Sequence, residues 1–312
     1  MPIISVKNVV KQYGQKKVLN DISFDIESGE IFGLLGSNGA GKSTLTSIIL
    51  NLQKPTSGSV IFFDGKEINL KKKIALVPQS TAFYNDFSVE KNMLFFGSIY
   101  GLKRNKLRDR VSFLLKWLNL NEFKDTKSDF LSGGYQRLLN IAISLISDPE
   151  IIFLDEPTVG LDPKMRQMFW EKIKELKTAG KTIILTTHYM DEAEHLCTRI
   201  ALLKKGKLLS IGKPSELIRE YGGVKVMIFE VKGGVRDEHI TKIRSALNEK
   251  TVVSKGDLLF IPFEQEHSLE KVLAVTDWLM QEGYSITSST TKEPNLEDVF
   301  LNLTGEKMEV KK

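Results

Sequence analysis

The chain is poor in thiols, in long apolar runs and in charge of one sign, and each shortage excludes something. Cys197 is the only cysteine among 312 residues, so neither an internal disulfide nor a four-thiolate zinc site can form, and a reducing compartment fits. No apolar stretch approaches the roughly 18 residues of a membrane-spanning helix; runs such as IAISLI at 141–146 suit a buried core. The opening residues, MPIISVKNVVKQYG, lack the basic-then-apolar pattern of a secretory signal, which predicts a protein kept in the cytoplasm. A balance of 44 basic against 39 acidic residues leaves +5, an excess that permits an anionic partner and selects none. The five cations between Lys103 and Arg110 read as a solvated helix face. His195 follows His188 by seven residues and could share a helix face with it, whereas His239 and His267 are distant. With one thiol available, no metal cluster emerges.

What is present has the composition of an ordinary folded protein, 41% hydrophobic and 27% charged, and a length suited to two domains. Residues 1–220 alternate short apolar strands with helical patterns, the rhythm of an α/β layer fold. The early strands read as IISVKNVVKQY, VLNDISFDIESGEIFGLLG and SGSVIFFDG; later ones include EIIFLDEP, KTIILTTH and RIALLKKGKLLS. Between about 85 and 148, apolar residues recur three or four apart (Met93, Phe96, Ile99, Tyr100; Val111, Leu114, Leu115, Leu118), which predicts a helical insertion. From 221 to 312 the order reads β (224–231), α (236–247), β (251–254), β (257–263), α (267–282), β (284–290) and a last helix from Asn295. That βαββαβ order predicts a small α+β domain of ferredoxin-like type.

The chemistry concentrates in GSNGAGKST at 36–44: Gly36, Ser37, Asn38, Gly39, Ala40, Gly41, Lys42, Ser43 and Thr44. The segment fits the phosphate-loop pattern G-x-x-x-x-G-K-[ST], and it lies between an apolar strand, IFGLL, and a helical stretch, STLTSIILNL. Glycines let successive N–H groups turn inward around phosphate oxygens, and the helix start adds favourable potential. Lys42 is expected to reach the β- and γ-phosphates and the Ser43 hydroxyl to help hold Mg²⁺. EIIFLDEP then ends a strand in two carboxylates: Asp155 suits Mg²⁺ through water, and Glu156 is placed to polarise an attacking water. LSGGYQR at 131–137 supplies a second phosphate-ready helix start through Ser132, Gly133 and Gly134. Two anion sites that cannot reach one nucleotide imply completion by another subunit.

Taken together, the phosphate loop, LSGG, FLDEP, VGLD at 159–162 and TTH at 186–188 resemble the ATP-binding subunit of an ABC transporter over residues 3 to about 220. The resemblance implies ATP and Mg²⁺ as ligands and assigns roles residue by residue. Tyr13 would stack on adenine, and Gln79 would touch Mg²⁺ or the attacking water. Ser132, Gly133 and Gly134 would meet the γ-phosphate held by the opposite subunit, and Asp162 would cross the dimer seam. Glu156 would be the catalytic carboxylate, with His188 on the γ-phosphate. Tyr135 stands where the family most often has Gln, which leaves that side chain without an assigned role.

The implied partners are a second copy or close paralogue, in a nucleotide-sandwich dimer, and a separate polytopic permease at the inner face of the cell membrane. FYNDFSVEKNMLFFGSIYGLKR at 83–104 resembles the family's permease-docking face; as a bland alternative, its aromatics are core. EPNLEDVFLNLTG at 293–305 resembles the closing segment of drug, antibiotic and polysaccharide exporter subunits, where dimer contact or regulation is the expected role. The competing reading is a soluble ATPase of the same superfamily acting on nucleic acid or ribosomes. It lacks support because the chain has neither a long coiled coil, a zinc module nor a second cassette, so no nucleic acid is expected. A GTPase switch lacks its N-K-x-D segment.

Overall fold

Apolar runs of two kinds, alternating and continuous, become sheets of two kinds in the computed structural model, which describes residues 2–65, 70–247, 251–263 and 268–305. The chain packs as two units that part between Ser215 and Glu216. In the first, the strands are β1 (Pro2–Tyr13), β2 (Lys16–Glu27), β3 (Ile31–Leu35), β4 (Ser57–Phe62), β5 (Ile74–Val77), β6 (Ile151–Asp155), β7 (Thr182–Thr187), β8 (Arg199–Lys204) and β9 (Lys207–Gly212). The helices are α1 (Lys42–Ile49), α2 (Leu70–Lys73), α3 (Val89–Ile99), α4 (Arg104–Trp117), α5 (Gly133–Ser144), α6 (Pro163–Thr178) and α7 (Met190–Leu196), with α8 (Pro214–Tyr221) spanning the division.

β2, β1 and β4 form an antiparallel sheet, and β5-β6-β7-β3-β8-β9 form a second in which only β9 runs against its neighbour. Every residue of β3 and β7 is buried, as expected for parallel strands covered on both faces. One core joins Ile4, Val6, Ile22 and Ile26 of the antiparallel sheet to Leu45, Ile48 and Ile49 of α1 and to Phe32, Phe153 and Ile184 of the parallel sheet. Each such side chain contributes about 1.5–3 kcal/mol by leaving water, so α1 is held firmly where it leaves the phosphate loop.

Two sequence expectations change here. VLNDISFDIESGEIFGLLG is not one strand: the chain turns at Gly29 (φ 77°), whose N–H donates to Thr182 Oγ1 at 2.9 Å, and passes from β2 into β3 of the other sheet. The period switch marks the break, since β2 alternates buried and exposed while β3 is buried throughout. RIALLKKGKLLS is likewise two strands, folded back at Lys205 and Gly206 (φ 47° and 75°). Within β3, Gly33 is required by packing: a Cβ there would lie 2.7 Å from Cys197 Sγ and 2.9 Å from Ile200 Cγ2.

The helical stretch between β5 and β6 closes on itself. Asn92, fully buried on α3, donates to Ser128 Oγ at 2.8 Å and accepts from the Tyr84 N–H at 2.9 Å, which ties the loop before the helix to the loop before α5. Buried polar groups of this kind specify one arrangement because leaving them unpaired is costly.

The second unit contains β10 (Lys225–Val231), α9 (Asp237–Leu247), β11 (Val253–Lys255), β12 (Leu258–Phe263), α10 (Ser268–Gln281), β13 (Ile286–Lys292) and α11 (Leu296–Thr304). Its sheet, β11-β12-β10-β13, is antiparallel throughout, the ferredoxin-like order. It has its own core, including Met227, Phe229, Ile243, Leu259, Ile261, Phe263 and Leu279. Asn295 caps α11 in a reciprocal box with Asp298.

Candidate functional site

Because β3, β6 and β7 run in parallel, the residues that follow them leave at one edge of the sheet. After β3 the chain enters 36–44 and α1 begins at Lys42. Gly41 there has φ 107°, and a Cβ would sit 2.7 Å from Leu19 Cδ2 and 3.2 Å from the Val18 carbonyl, so glycine is needed twice over. No side chain caps α1, which leaves its first N–H groups for an anion. Lys42 is buried, and its Nζ donates to the carbonyls of Gly36 (2.7 Å) and Ser37 (3.2 Å). Burial lowers its pKa, while the charges of Glu156 and Asp155 oppose that shift.

A cavity of about 580 Å³ opens at this edge, a volume typical of small-molecule sites. Asn38, Gly39, Gly41, Lys42, Ser43 and Thr44 line it from the loop, and Gln79, Asp155 and Glu156 from the ends of β5 and β6. Gly36, Ser37 and Ala40 back the loop instead, the Ala40 carbonyl accepting from the Gly206 N–H at 2.9 Å. Lys16, Lys17, Val18 and Lys205 complete the lining. Sequence reasoning did not single these out, because they come from β2 and from the β8–β9 turn. That turn reaches the loop through Gly206, whose Cβ would lie 2.1 Å from the Val18 carbonyl.

The polar groups of the cavity are linked. Thr186 Oγ1 donates to Asp155 Oδ1. Glu156 Oε2 accepts from Gln79 Nε2 at 3.3 Å, and Glu156 Oε1 lies 3.1 Å from His188 Nδ1. His188 follows β7, the strand between β6 and β3, and its ring packs, tilted by 35°, with its centre 4.3 Å from that of Tyr189. Glu156 itself is left-handed, φ 44°, a conformation costing a non-glycine residue on the order of 1–3 kcal/mol. Ser43, Asp155 and Gln79 offer a hydroxyl, a carboxylate and an amide oxygen to the same space. This hard oxygen set fits Mg²⁺, which takes one or two carboxylates and completes its shell with phosphate and water. Among the described residues, no three His, Cys, Asp or Glu side chains would hold a metal unaided.

Arg137, which the sequence reading passed over inside LSGGYQR, is buried among main-chain carbonyls. Its guanidinium donates to those of Pro78, Gln79, Asp155 and Pro157. Burial lowers its pKa to about 10.

The remaining expected residues lie apart from the lining. Tyr13 ends β1 opposite Lys16, half-exposed, with Lys11 Nζ 5.0 Å from its ring centre and its hydroxyl accepting from Gln53. Ser132, Gly133 and Gly134 begin α5, with no side-chain cap and open space beside Gly133. Asp162 caps α6, accepting from the Met165 N–H at 3.0 Å. Tyr135 packs its ring 4.3 Å from that of Phe123. His195 lies 2.9 Å from Lys174 Nζ, and His239 pairs with the Tyr284 hydroxyl at 2.9 Å; His267 lies outside the described residues.

Residues 19–159 match the family model described as ABC transporter. The Nod factor export ATP-binding protein I of Rhizobium sp. (strain N33) is 38% identical, over 98% of this chain and 98% of its own. The linearmycin resistance ATP-binding protein LnrL of Bacillus subtilis (strain 168) is 36% identical, over 97% and 98%. Among solved structures, the ATP-binding cassette MJ0796, described as a dimeric post-hydrolysis state bound to ADP and Pi, is 30% identical. It covers 67% of this chain and 98% of its own, with a TM-score of 0.60.

Proposed function

The chain belongs to the ABC transporter family of ATP-binding proteins, and from that premise we propose that it hydrolyses ATP to power an exporter whose membrane path is a separate polypeptide. The observation that carries the reading is one cavity in which the phosphate loop, Gln79, Asp155 and Glu156 meet. The ATPase work falls to residues 1–220 and accessory work, dimer contact or regulation, to 221–312.

The loop amides and Lys42 bind the β- and γ-phosphates, and Tyr13, paired across the strands with Lys16 of the lining, stacks on adenine. Ser43, Gln79 and, through water, Asp155 hold Mg²⁺, which supplies charge neutralisation to the phosphates when bound. Glu156 accepts a proton from the attacking water while the bond from the γ-phosphorus to the bridging oxygen breaks, giving ADP and phosphate. Gln79 and His188 orient Glu156 from either side, at 3.3 and 3.1 Å. His188 also faces the γ-phosphate.

Ser132, Gly133 and Gly134 are outside the lining, which fits service to a nucleotide bound by a second, head-to-tail copy or paralogue. Asp162 crosses that seam. Tyr84, Phe87, Phe95 and Phe96 cluster, mostly edge to face, with centroids 5.1–6.0 Å apart, and Tyr84 and Ile99 remain exposed, which supports a docking face for the permease at the inner side of the membrane. No helix among the described residues is long and apolar enough to cross a membrane. The two relatives are named for different compounds, Nod factor in one and linearmycin in the other, as expected if selection lies in the membrane subunit.

The test is Glu156→Gln, for which turnover falls about 100-fold or more while ATP stays bound. Turnover within a few-fold of the parent would remove Glu156 from the mechanism. Affinity capture from detergent-solubilised native membranes should co-purify a polytopic protein in stoichiometric yield; recovery of ribosomes or DNA instead would favour the soluble-ATPase reading.

A further inference from the structure

Three polar side chains along one face of α5 bond to the segment that carries Gln79. Ser144 Oγ donates to the Leu76 carbonyl at 3.0 Å, and Asn140 exchanges bonds with the Ser80 carbonyl (3.0 Å) and the Ala82 N–H (2.9 Å). Arg137 donates to the Pro78 carbonyl and to that of Gln79 at 3.3 Å. Spaced three and four residues apart, they share a helix face, so the whole segment takes its position from α5.

Of these three, Arg137 reaches further. Its Nη2 donates to the Asp155 carbonyl and its Nε to that of Pro157, each at 2.9 Å. The guanidinium therefore grips the chain immediately before and after Glu156, the residue whose backbone is left-handed at φ 44°. Such a conformation persists only where its surroundings over-determine it. A planar fork with five donors can serve acceptors on two segments at once, whereas an ammonium is a single point on a flexible stem.

We propose that Arg137 is a positioning residue for ATP hydrolysis: it fixes the poses of Glu156 and Gln79 to the helix that begins at Ser132, Gly133 and Gly134. A shift of that helix is thereby felt at the hydrolytic carboxylate. The inference rests on the reading of Glu156 given above.

The test measures steady-state turnover, binding of a fluorescent ATP analogue and melting temperature for the full chain carrying Arg137→Lys, Arg137→Met, Glu156→Gln, or Arg137→Lys with Glu156→Gln. For Arg137→Lys, kcat is expected to fall about 30- to 100-fold. Its KM and nucleotide affinity stay within about threefold of the parent, since the loop that binds phosphate is untouched. Added to Glu156→Gln, Arg137→Lys costs nothing further, because it acts through the same group. A parental kcat for Arg137→Lys, or losses that multiply in the double variant, would overturn the inference. Should Arg137→Met fail to fold, the Lys variant decides alone. If Glu156→Gln by itself keeps parental turnover, the underlying reading fails, and the proposal with it. If Glu156→Gln is inactive while Arg137→Lys is not, only the inference fails.

Discussion

In the six-stranded sheet β3, β6 and β7 run the same way, so the phosphate loop, Asp155 with Glu156, and His188 all leave at one edge. In the four-stranded sheet every neighbouring pair is antiparallel, so β10 and β11 end at one edge and β12 and β13 at the other. Both units have buried cores, around Phe32 and Phe153 in one and Phe229 and Phe263 in the other. The polar groups differ. Gln79 and Glu156 line one cavity, with His188 bonded to Glu156, whereas the SSTTK side chains of β13 are spread along an exposed strand. Strand direction, rather than burial, decides which sheet gathers chemistry.

The comparison is tested most severely by Phe229→Ala, which removes a fully buried ring and should destabilise the second unit by about 3–5 kcal/mol. Calorimetry should register the loss while the affinity for ATP stays within about twofold; a parallel fall in affinity would show that the units do not hold their structure separately. The converse is Lys42→Ala, which deletes a buried cation of the cavity. Affinity for ATP should fall about 100-fold, equivalent to about 3 kcal/mol, with melting of the second unit unchanged. A small effect should come from Lys17→Ala, an exposed cation in the lining. Here a titration at low salt should find about a two- to threefold loss that disappears near about 0.5 M salt. A loss that persists in salt would mean that Lys17 makes a specific contact instead of supplying field.

Legibility in the sequence follows contiguity. Residues 36–44 form one turn, so the spacing of Gly36, Gly41, Lys42 and Ser43 displays the loop directly. The strand ending in Asp155 and Glu156 is readable for the same reason. Arg137 was not, although it stands in the quoted LSGGYQR, because its acceptors lie 18, 20, 58 and 59 positions away and are main-chain carbonyls that any residue could supply. Lys205 was hidden by its own neighbourhood, where LLKKGKLLS reads as one continuous strand until Gly206 is seen to turn against Val18. The break at Gly29 escaped because hydrophobic patterning runs through it; the change from alternate to complete burial is visible only when both sheets exist.

Cys197, the residue against which Gly33 packs, has a practical consequence. It is buried, and burial pushes its thiol well above the usual range, so little thiolate is presented to reagents. Labelling chemistry therefore meets a nearly silent background in the folded chain. A single Thr290→Cys, exposed on β13 and paired with Ile228 rather than with the buried Phe229, would take up a fluorophore or spin label almost alone. The native protein, without any cysteine removed, is ready for spectroscopic measurement of motion through the ATP cycle.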